Sequence, residues 1–163
     1  MIMLRRLFSP FAFSLFIITI SIVASTLGQQ EAAPILVHNS DFGGVIFPAD
    51  MKAFQRGFPK GVSYWTPSQS EVIAAEKELI PFLSRSNDER VKEILSKLRA
   101  YKRQYVGVVI AGHKYVYFNL FCLAPKDWTR REFVVSDGGT CFLNIRFSME
   151  TKTFSNLQIN GVA

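Results

Sequence analysis

The sequence after Arg103 places apolar side chains at every second position, and this alternation constrains the fold more than any other feature. A period of two is typical of β-strands, whose successive side chains point to opposite faces of a sheet. The short connection 111–113 contains a glycine and indicates a hairpin between the first two strands. The pattern predicts strands over residues 104–110, 114–122, 132–136, 141–148 and 154–159.

The same alternation assigns side chains to the two faces of the predicted sheet. Tyr115, Tyr117 and Phe121 point away from the core, and a tyrosine has a polar tip that tolerates water. We expect this second face to be half open to solvent or half covered by the N-terminal part of the chain. The core-facing set on the second and fourth of these strands is Val116, Phe118, Leu120, Cys122, Cys141, Leu143, Ile145 and Phe147.

Two helices are predicted before the strands. Thr66 as N-cap and Pro67 as first residue mark the start of one helix, which Pro81 should kink or end. Asn87 is the predicted N-cap of the second. Residues at helical spacing form a stripe on the first helix: Val72, Ala75, Glu76, Leu79 and Leu83.

The order of these elements predicts an α+β fold. Two N-terminal helices should pack on one face of a four- to five-stranded antiparallel sheet, as in a cystatin-like roll or a related one. The folded domain is expected over 64–163, after an irregular arm over 29–63 that is rich in glycine and proline.

Residues 1–28 have the composition of an export leader. Arg5 and Arg6 are their only charges, and the uncharged stretch that follows suits either a cleaved signal peptide or an N-terminal membrane anchor. We expect an exported domain, periplasmic or secreted, or alternatively one anchored by this segment. Membrane contact is expected only through residues 7–28, and only if the leader is not cleaved.

The charge of the chain is modest for a folded domain. The formal net charge is +6, and the leader contributes Arg5 and Arg6 to it, so a nucleic acid partner is not expected. Four of the remaining cations bunch at the end of the second predicted helix, where they complement the helix dipole and are expected to be solvated: Lys97, Arg99, Lys102 and Arg103. Arg130 and Arg131 form a second pair, and weak attraction of these cations to anionic lipid or a polyanionic sugar is the alternative.

The chain has two cysteines, Cys122 and Cys141, which form a possible disulfide. In a plain up-and-down meander they would lie at opposite ends of the sheet, too far apart to be joined. A bond requires the segment 123–140 to be an excursion that returns to the same end. Two separate buried thiols are the alternative.

Residues that could carry catalysis are scarce. His38 and His113 neighbour no thiol, and the histidines and cysteines have no metal-ligand spacing, so neither a metal nor a cofactor is expected. Loop carboxylates such as Asp41 and Asp137 leave a hydrolase-type enzyme as the alternative to a binding protein.

Aromatic residues favour binding over catalysis. Tyr115, Tyr117 and Phe121 on the second sheet face, with Trp128 in the adjoining loop, are predicted to line a groove. The expected function is therefore a non-enzymatic secreted or envelope-associated module that binds a peptide, a protein or a glycan through this face.

Two resemblances accompany this prediction. Gln104–Gly107 faintly resembles the cystatin inhibitory loop, Q-x-V-x-G, but its glycine comes one residue early and inside a predicted strand, so protease inhibition is not implied. Residues 65–163 resemble uncharacterised small exported bacterial α+β proteins in the phrases at 101–107, 135–139 and 160–163. That second resemblance implies a secreted α+β domain and brings no activity with it.

Overall fold

The structure is a computed structural model that describes residues 32–51, 58 and 61–161. The predicted leader, residues 1–28, and its expected membrane contact lie outside these described residues. Within them, no helix combines the length and the apolar character that crossing a membrane requires.

The described residues form one mixed sheet and two α-helices. The helices are α1 (Gln69–Leu83) and α2 (Glu89–Lys97), and a single 3-10 turn follows α2 at Leu98–Ala100. The strands are β1 (Ile35–His38), β2 (Gly43–Phe47), β3 (Ser63–Trp65), β4 (Lys102–Ile110), β5 (His113–Phe121), β6 (Phe142–Ser148) and β7 (Phe154–Ile159). Their order in the sheet is β1-β2-β4-β5-β6-β7, and β3 pairs with β4 beside this path.

The predicted fold class is therefore wrong in its sheet, although the protein is α+β. The sheet has 7 strands rather than four or five, and β2 runs parallel to β4. Residues assigned to the irregular arm supply β1, β2 and the first residue of β3, and these short runs between glycines and prolines are too brief to display a period. The extra strands and the parallel β2–β4 pair also exclude the predicted cystatin-like roll of two N-terminal helices on a purely antiparallel sheet.

The strand predicted over 132–136 is also absent, since these residues have no strand conformation. The backbone of Phe133 instead donates to the side chain of Gln104 at 3.0 Å and accepts from that of Asn119 at 2.8 Å. Its polar groups are thus satisfied by side chains rather than by a neighbouring strand.

The two helices begin close to the predicted positions. Ser68, rather than Thr66, is the N-cap of α1 and forms a capping box with Glu71. Asp88, rather than Asn87, caps α2. Pro81 lies within the last turn of α1, which ends two residues later. The predicted stripe is confirmed, because all its members are buried: Val72, Ala75, Glu76, Leu79 and Leu83.

The helix-facing side of the sheet forms the main core, and the predicted parity is confirmed there. Tyr105 and Phe118 pack edge to face at 5.0 Å in the same layer, which continues into the helix stripe. The core-facing residues of β5 and β6 that are buried are Val116, Phe118, Leu120, Leu143, Ile145 and Phe147.

Strand β4 organises the sheet because it is paired along both edges. On one edge, β2 pairs with its first half and β3 with its second half, while β5 occupies the other edge. Gly107 lies opposite Trp65 where β3 begins its pairing. A Cβ atom at Gly107 would overlap the carbonyl oxygen of Trp65 and lie 2.8 Å from its indole ring. Glycine is therefore required for β3 to approach.

We expect Gly107→Ala to lower the free energy of unfolding by about 1–3 kcal/mol, because the added methyl group must displace the backbone of β3. Urea denaturation followed by circular dichroism measures the change. Gly43→Ala is the matched control, since the nearest atom to its added Cβ is 3.9 Å away on His38. Equal stability of the two variants would contradict this account of β3.

Cys122 and Cys141 form the possible disulfide, and they are not two separate thiols. The Cα atoms of Cys122 and Cys141 are 5.0 Å apart, and the amide of Cys122 donates to the carbonyl of Cys141 at 3.0 Å. The segment between them leaves the end of β5 and returns to the same end before β6. We call residues 123–140 the excursion.

Replacing both cysteines by alanine should lower the free energy of unfolding by about 3 kcal/mol, the entropy of closing a loop of this length in the unfolded chain. The cysteines are separated by 19 positions in sequence. Urea denaturation with and without a thiol reductant provides the measurement. The reductant should destabilise the natural chain and leave the double variant unchanged.

Candidate functional site

The four predicted sheet-face residues lie on one face, but the chain itself covers much of that face. Tyr117 packs edge to face on Phe58 at 4.9 Å, and burial raises its pKa. Phe121 is fully buried and packs against Trp128 at 6.0 Å. Tyr115 and Trp128 are half-buried in the same apolar layer. The space that a groove over these residues would need is thus largely filled by Phe58 and the excursion.

Two buried amides hold the excursion against this face. The side chain of Gln104 donates to the carbonyl oxygens of Trp128 and Arg131 at 2.5 and 2.7 Å. The side chain of Asn119 donates to Gln104 at 2.9 Å and to the carbonyl of Phe133. Because buried amides need partners, these bonds fix the position of the excursion. Asn119 has the parity of Tyr117 and Phe121, so the alternation in the sequence indicates this face for it, but nothing in the sequence indicates its partners.

The loop carboxylates predicted for the hydrolase alternative are not gathered into one cleft. Asp41 is paired with Arg99 at 3.0 Å in the turn between β1 and β2. Asp137 lies beside Gly161, in a bridge near the end of β7, and does not line the cleft that Asp41 borders. In the part of the chain that the structure describes, no group of three or more His, Cys, Asp or Glu residues is arranged to hold a metal ion.

A cleft of about 690 Å³ opens on the helix-facing side of the molecule. Its volume lies within the range of about 300–1,000 Å³ found for small-molecule sites. The walls come from α1, from the end of α2 with the 3-10 turn, and from the turn between β1 and β2. Most of the exposed lining is apolar. The large apolar side chains among the lining residues are Phe42, Ile73, Ile80, Leu95 and Leu98.

The turn between β1 and β2 is held in shape by Asn39. The side-chain oxygen of Asn39 accepts hydrogen bonds from the backbone amides of Asp41 and Phe42, at 2.8 and 2.9 Å. Asp41 then reaches across to Arg99 on the opposite wall. This wall of the cleft is therefore fixed by local hydrogen bonds and tied to the 3-10 turn.

A buried cluster of polar side chains borders the inner end of the cleft. The carboxylate of Glu76 accepts a hydrogen bond from the hydroxyl of Tyr105 at 2.7 Å and pairs with the guanidinium of Arg103 at 3.1 Å. Glu76 is 9 % exposed and Arg103 is 2 % exposed. Arg103 also donates to the carbonyl oxygens of Tyr101 and Leu98. The cluster joins α1, the 3-10 turn and β4.

Burial governs the ionisation of this cluster. It raises the pKa of Glu76 above the ordinary glutamate value, while Arg103 and the Tyr105 hydroxyl act in the opposite direction. Burial also raises the pKa of Tyr105 well above its ordinary value, and the negative charge of Glu76 adds to that increase. The expectation of a solvated helix end is wrong for Arg103, whose guanidinium is inside the protein.

Three cations stand among the residues lining the cleft besides Arg103. Lys97 pairs with Glu93 at 2.5 Å, and Arg99 pairs with Asp41. Lys77 makes no ion pair within the described residues. The cleft therefore combines an apolar wall, a neutralised inner end and a cationic border.

Two features of the sequence point to this cluster. Glu76 occurs within an apolar helical stripe, and a carboxylate on a buried face must find a partner. Arg103 has the parity of Tyr105 on β4, so the two side chains share the helix-facing side. Neither observation reveals the cleft. One of its walls is the turn between β1 and β2, and the pairing of β2 with the distant strand β4 brings that turn into place.

Glu76→Gln should make the free energy of unfolding less dependent on pH. The folded carboxyl of Glu76 has a raised pKa, so it binds a proton more tightly than the unfolded one, whose pKa is about 4.3. The stability contributed by that proton is present below the unfolded pKa and is lost as pH rises through the folded pKa. The variant lacks this decline, so its stability relative to the natural chain should rise as the pH increases.

Urea denaturation at a series of pH values measures the free energy of unfolding of the natural chain and of Glu76→Gln. Glu78→Gln is the matched control, because Glu78 is an exposed carboxylate on the same helix. Parallel pH profiles for the natural chain and Glu76→Gln would show that the buried carboxyl does not titrate in this way.

Comparison of the chain with protein-family models, with curated proteins and with solved structures finds no match. No relative therefore supplies an activity, a ligand or a partner.

Proposed function

We propose that the protein is a non-enzymatic binding module whose ligand occupies the cleft between α1, the 3-10 turn and the β1–β2 turn. The single observation that carries this proposal is a cleft of about 690 Å³ with apolar walls and polar groups at its inner end and border. Sites for small molecules have this combination, because apolar contact supplies affinity and a few polar groups fix orientation.

The bonding of Glu76 favours binding over catalysis in this cleft. A catalytic acid must deliver its proton to a ligand, and a catalytic base must be free to accept one. The same oxygen of Glu76 already accepts the Tyr105 hydroxyl and pairs with Arg103. These contacts hold α1 to β4, so the raised pKa of Glu76 is explained by burial within a structural cluster.

The expected sheet-face site is less well supported than the cleft. Phe121 has no exposed surface, and Tyr117 is packed on Phe58. Replacing Tyr115 tests what remains of that face, because its ring is half-buried and borders the covering layer.

We also propose that the protein works outside the cytoplasm, as a secreted or envelope-associated module. The bond between Cys122 and Cys141 supports this location, because such bonds persist in oxidising compartments. The uncharged apolar composition of residues 7–28 supports it independently.

The first experiment uses anilinonaphthalene sulfonate, an anionic fluorophore that brightens in apolar surroundings. The natural chain should increase its fluorescence in a saturable manner, and Ala100→Trp should reduce the increase at least about threefold by filling the cleft. Ala100 is exposed and lines the cleft. Ala74→Trp is the matched control, because Ala74 is exposed on α1 and does not line the cleft.

Two results would count against the cleft. Unchanged fluorescence with Ala100→Trp would mean that the fluorophore binds elsewhere. A loss with Tyr115→Ala, in a variant whose far-ultraviolet circular dichroism is unchanged, would move the binding site to the sheet face.

A further inference from the structure

We infer that the ligand of the cleft is a free long-chain carboxylate, with its acyl chain against the apolar walls and its carboxylate at the cationic border. This inference rests on the proposed binding function and specifies the chemical class of the ligand. Three features of the cleft carry it: the apolar lining, the neutralised inner end and the unequal charge at the border.

The apolar lining suits an alkyl chain. Ile73 and Ile80 come from α1, and Leu95 comes from α2. Leu98 in the 3-10 turn and Phe42 in the turn between β1 and β2 complete the apolar lining. Ile80 is 56 % exposed and lines the cleft, so its side chain is accessible to a ligand there. Burying methylene groups against such a lining supplies affinity that grows with chain length.

The inner end of the cleft determines the orientation of the ligand. Glu76 would repel a carboxylate placed beside it, and it already neutralises the charge of Arg103, whose two terminal nitrogens donate to backbone carbonyls. The Nε atom of Arg103 makes no hydrogen bond, but it is buried beside the Glu76 carboxylate. An anionic head therefore gains little from the inner end of the cleft, whereas an alkyl chain meets a neutralised ion pair there. The head group must lie toward solvent.

The border offers cations to that head group. Lys77 has no ion-pair partner among the described residues, and Lys97 is paired only with the exposed carboxylate of Glu93. An exposed ion pair contributes little to stability, so an incoming carboxylate can replace Glu93 as the partner of Lys97 at small cost. Arg99 is held by Asp41 across the cleft and is left out of the head-group site.

The decisive experiment compares laurate with lauryl alcohol, which share an alkyl chain and differ in charge. Isothermal titration of the full chain should give a laurate dissociation constant about tenfold lower than that of the alcohol, because a carboxylate forms charge-assisted hydrogen bonds with lysine. Raising the salt concentration should narrow the difference, since the border is exposed to solvent.

The double variant Lys77→Glu, Lys97→Glu should weaken laurate binding by at least about tenfold and leave lauryl alcohol binding unchanged, because only the head group senses the border. The matched control is Lys92→Glu with Lys126→Glu. It changes the net charge equally at exposed positions outside the cleft and should bind both compounds as the natural chain does.

The outcomes separate this inference from the function on which it rests. Two results would overturn the carboxylate inference: equal affinity for laurate and lauryl alcohol, or unchanged laurate binding by the Lys77 and Lys97 variant. If Ala100→Trp still reduces binding in either case, the proposed binding function of the cleft stands. Capture of phosphatidylglycerol vesicles without binding of laurate would also overturn it, in favour of a lipid surface. Failure of both compounds, together with fluorophore binding insensitive to Ala100→Trp, would overturn the proposed function as well.

Discussion

The buried pairing of Glu76 with Arg103 connects the two layers of this protein. Removing two charges from water is costly, and here the cost is offset by the Tyr105 hydroxyl and by two backbone carbonyls that accept from Arg103. Since Arg103 belongs to β4, the strand that is paired along both edges, the cluster fixes α1 relative to the centre of the sheet. The position of the cleft walls depends on this attachment.

The two faces of the sheet serve different purposes as a result. The helix-facing side leaves space between α1 and the 3-10 turn, and the opposite side is closed by the excursion and Phe58. Gln104 and Asn119 hold the excursion by its backbone, and the Cys122–Cys141 bond fixes both of its ends. A surface rich in aromatic residues is thereby used for internal packing, which leaves little free space for the groove predicted there.

Local patterns predicted the parts of the fold that are encoded locally. The burial of Phe118 and Ile145 followed from period-two parity, and the helix stripe followed from helical spacing. The sheet was underestimated because β2 is a short run that becomes a strand only beside the distant β4. The cleft was missed for the same reason, since one of its walls is the turn that precedes β2. Glu76 was visible as a charge in an apolar stripe, but its partner lies on another element.

The parallel pairing of β2 with β4 has a consequence for the order of folding. Strands β4 to β7 pair with strands that are next to them in sequence, whereas β2 pairs with β4 from the other side of both helices in the sequence. Contacts between residues distant in sequence form late because closing a long loop costs entropy. We therefore expect the β1–β2 hairpin to dock last during folding and to detach first. A ligand bound against Phe42 would hold this hairpin to the rest of the protein. Occupancy of the cleft should therefore slow amide hydrogen exchange in the β1–β2 hairpin more than in the other strands of the sheet.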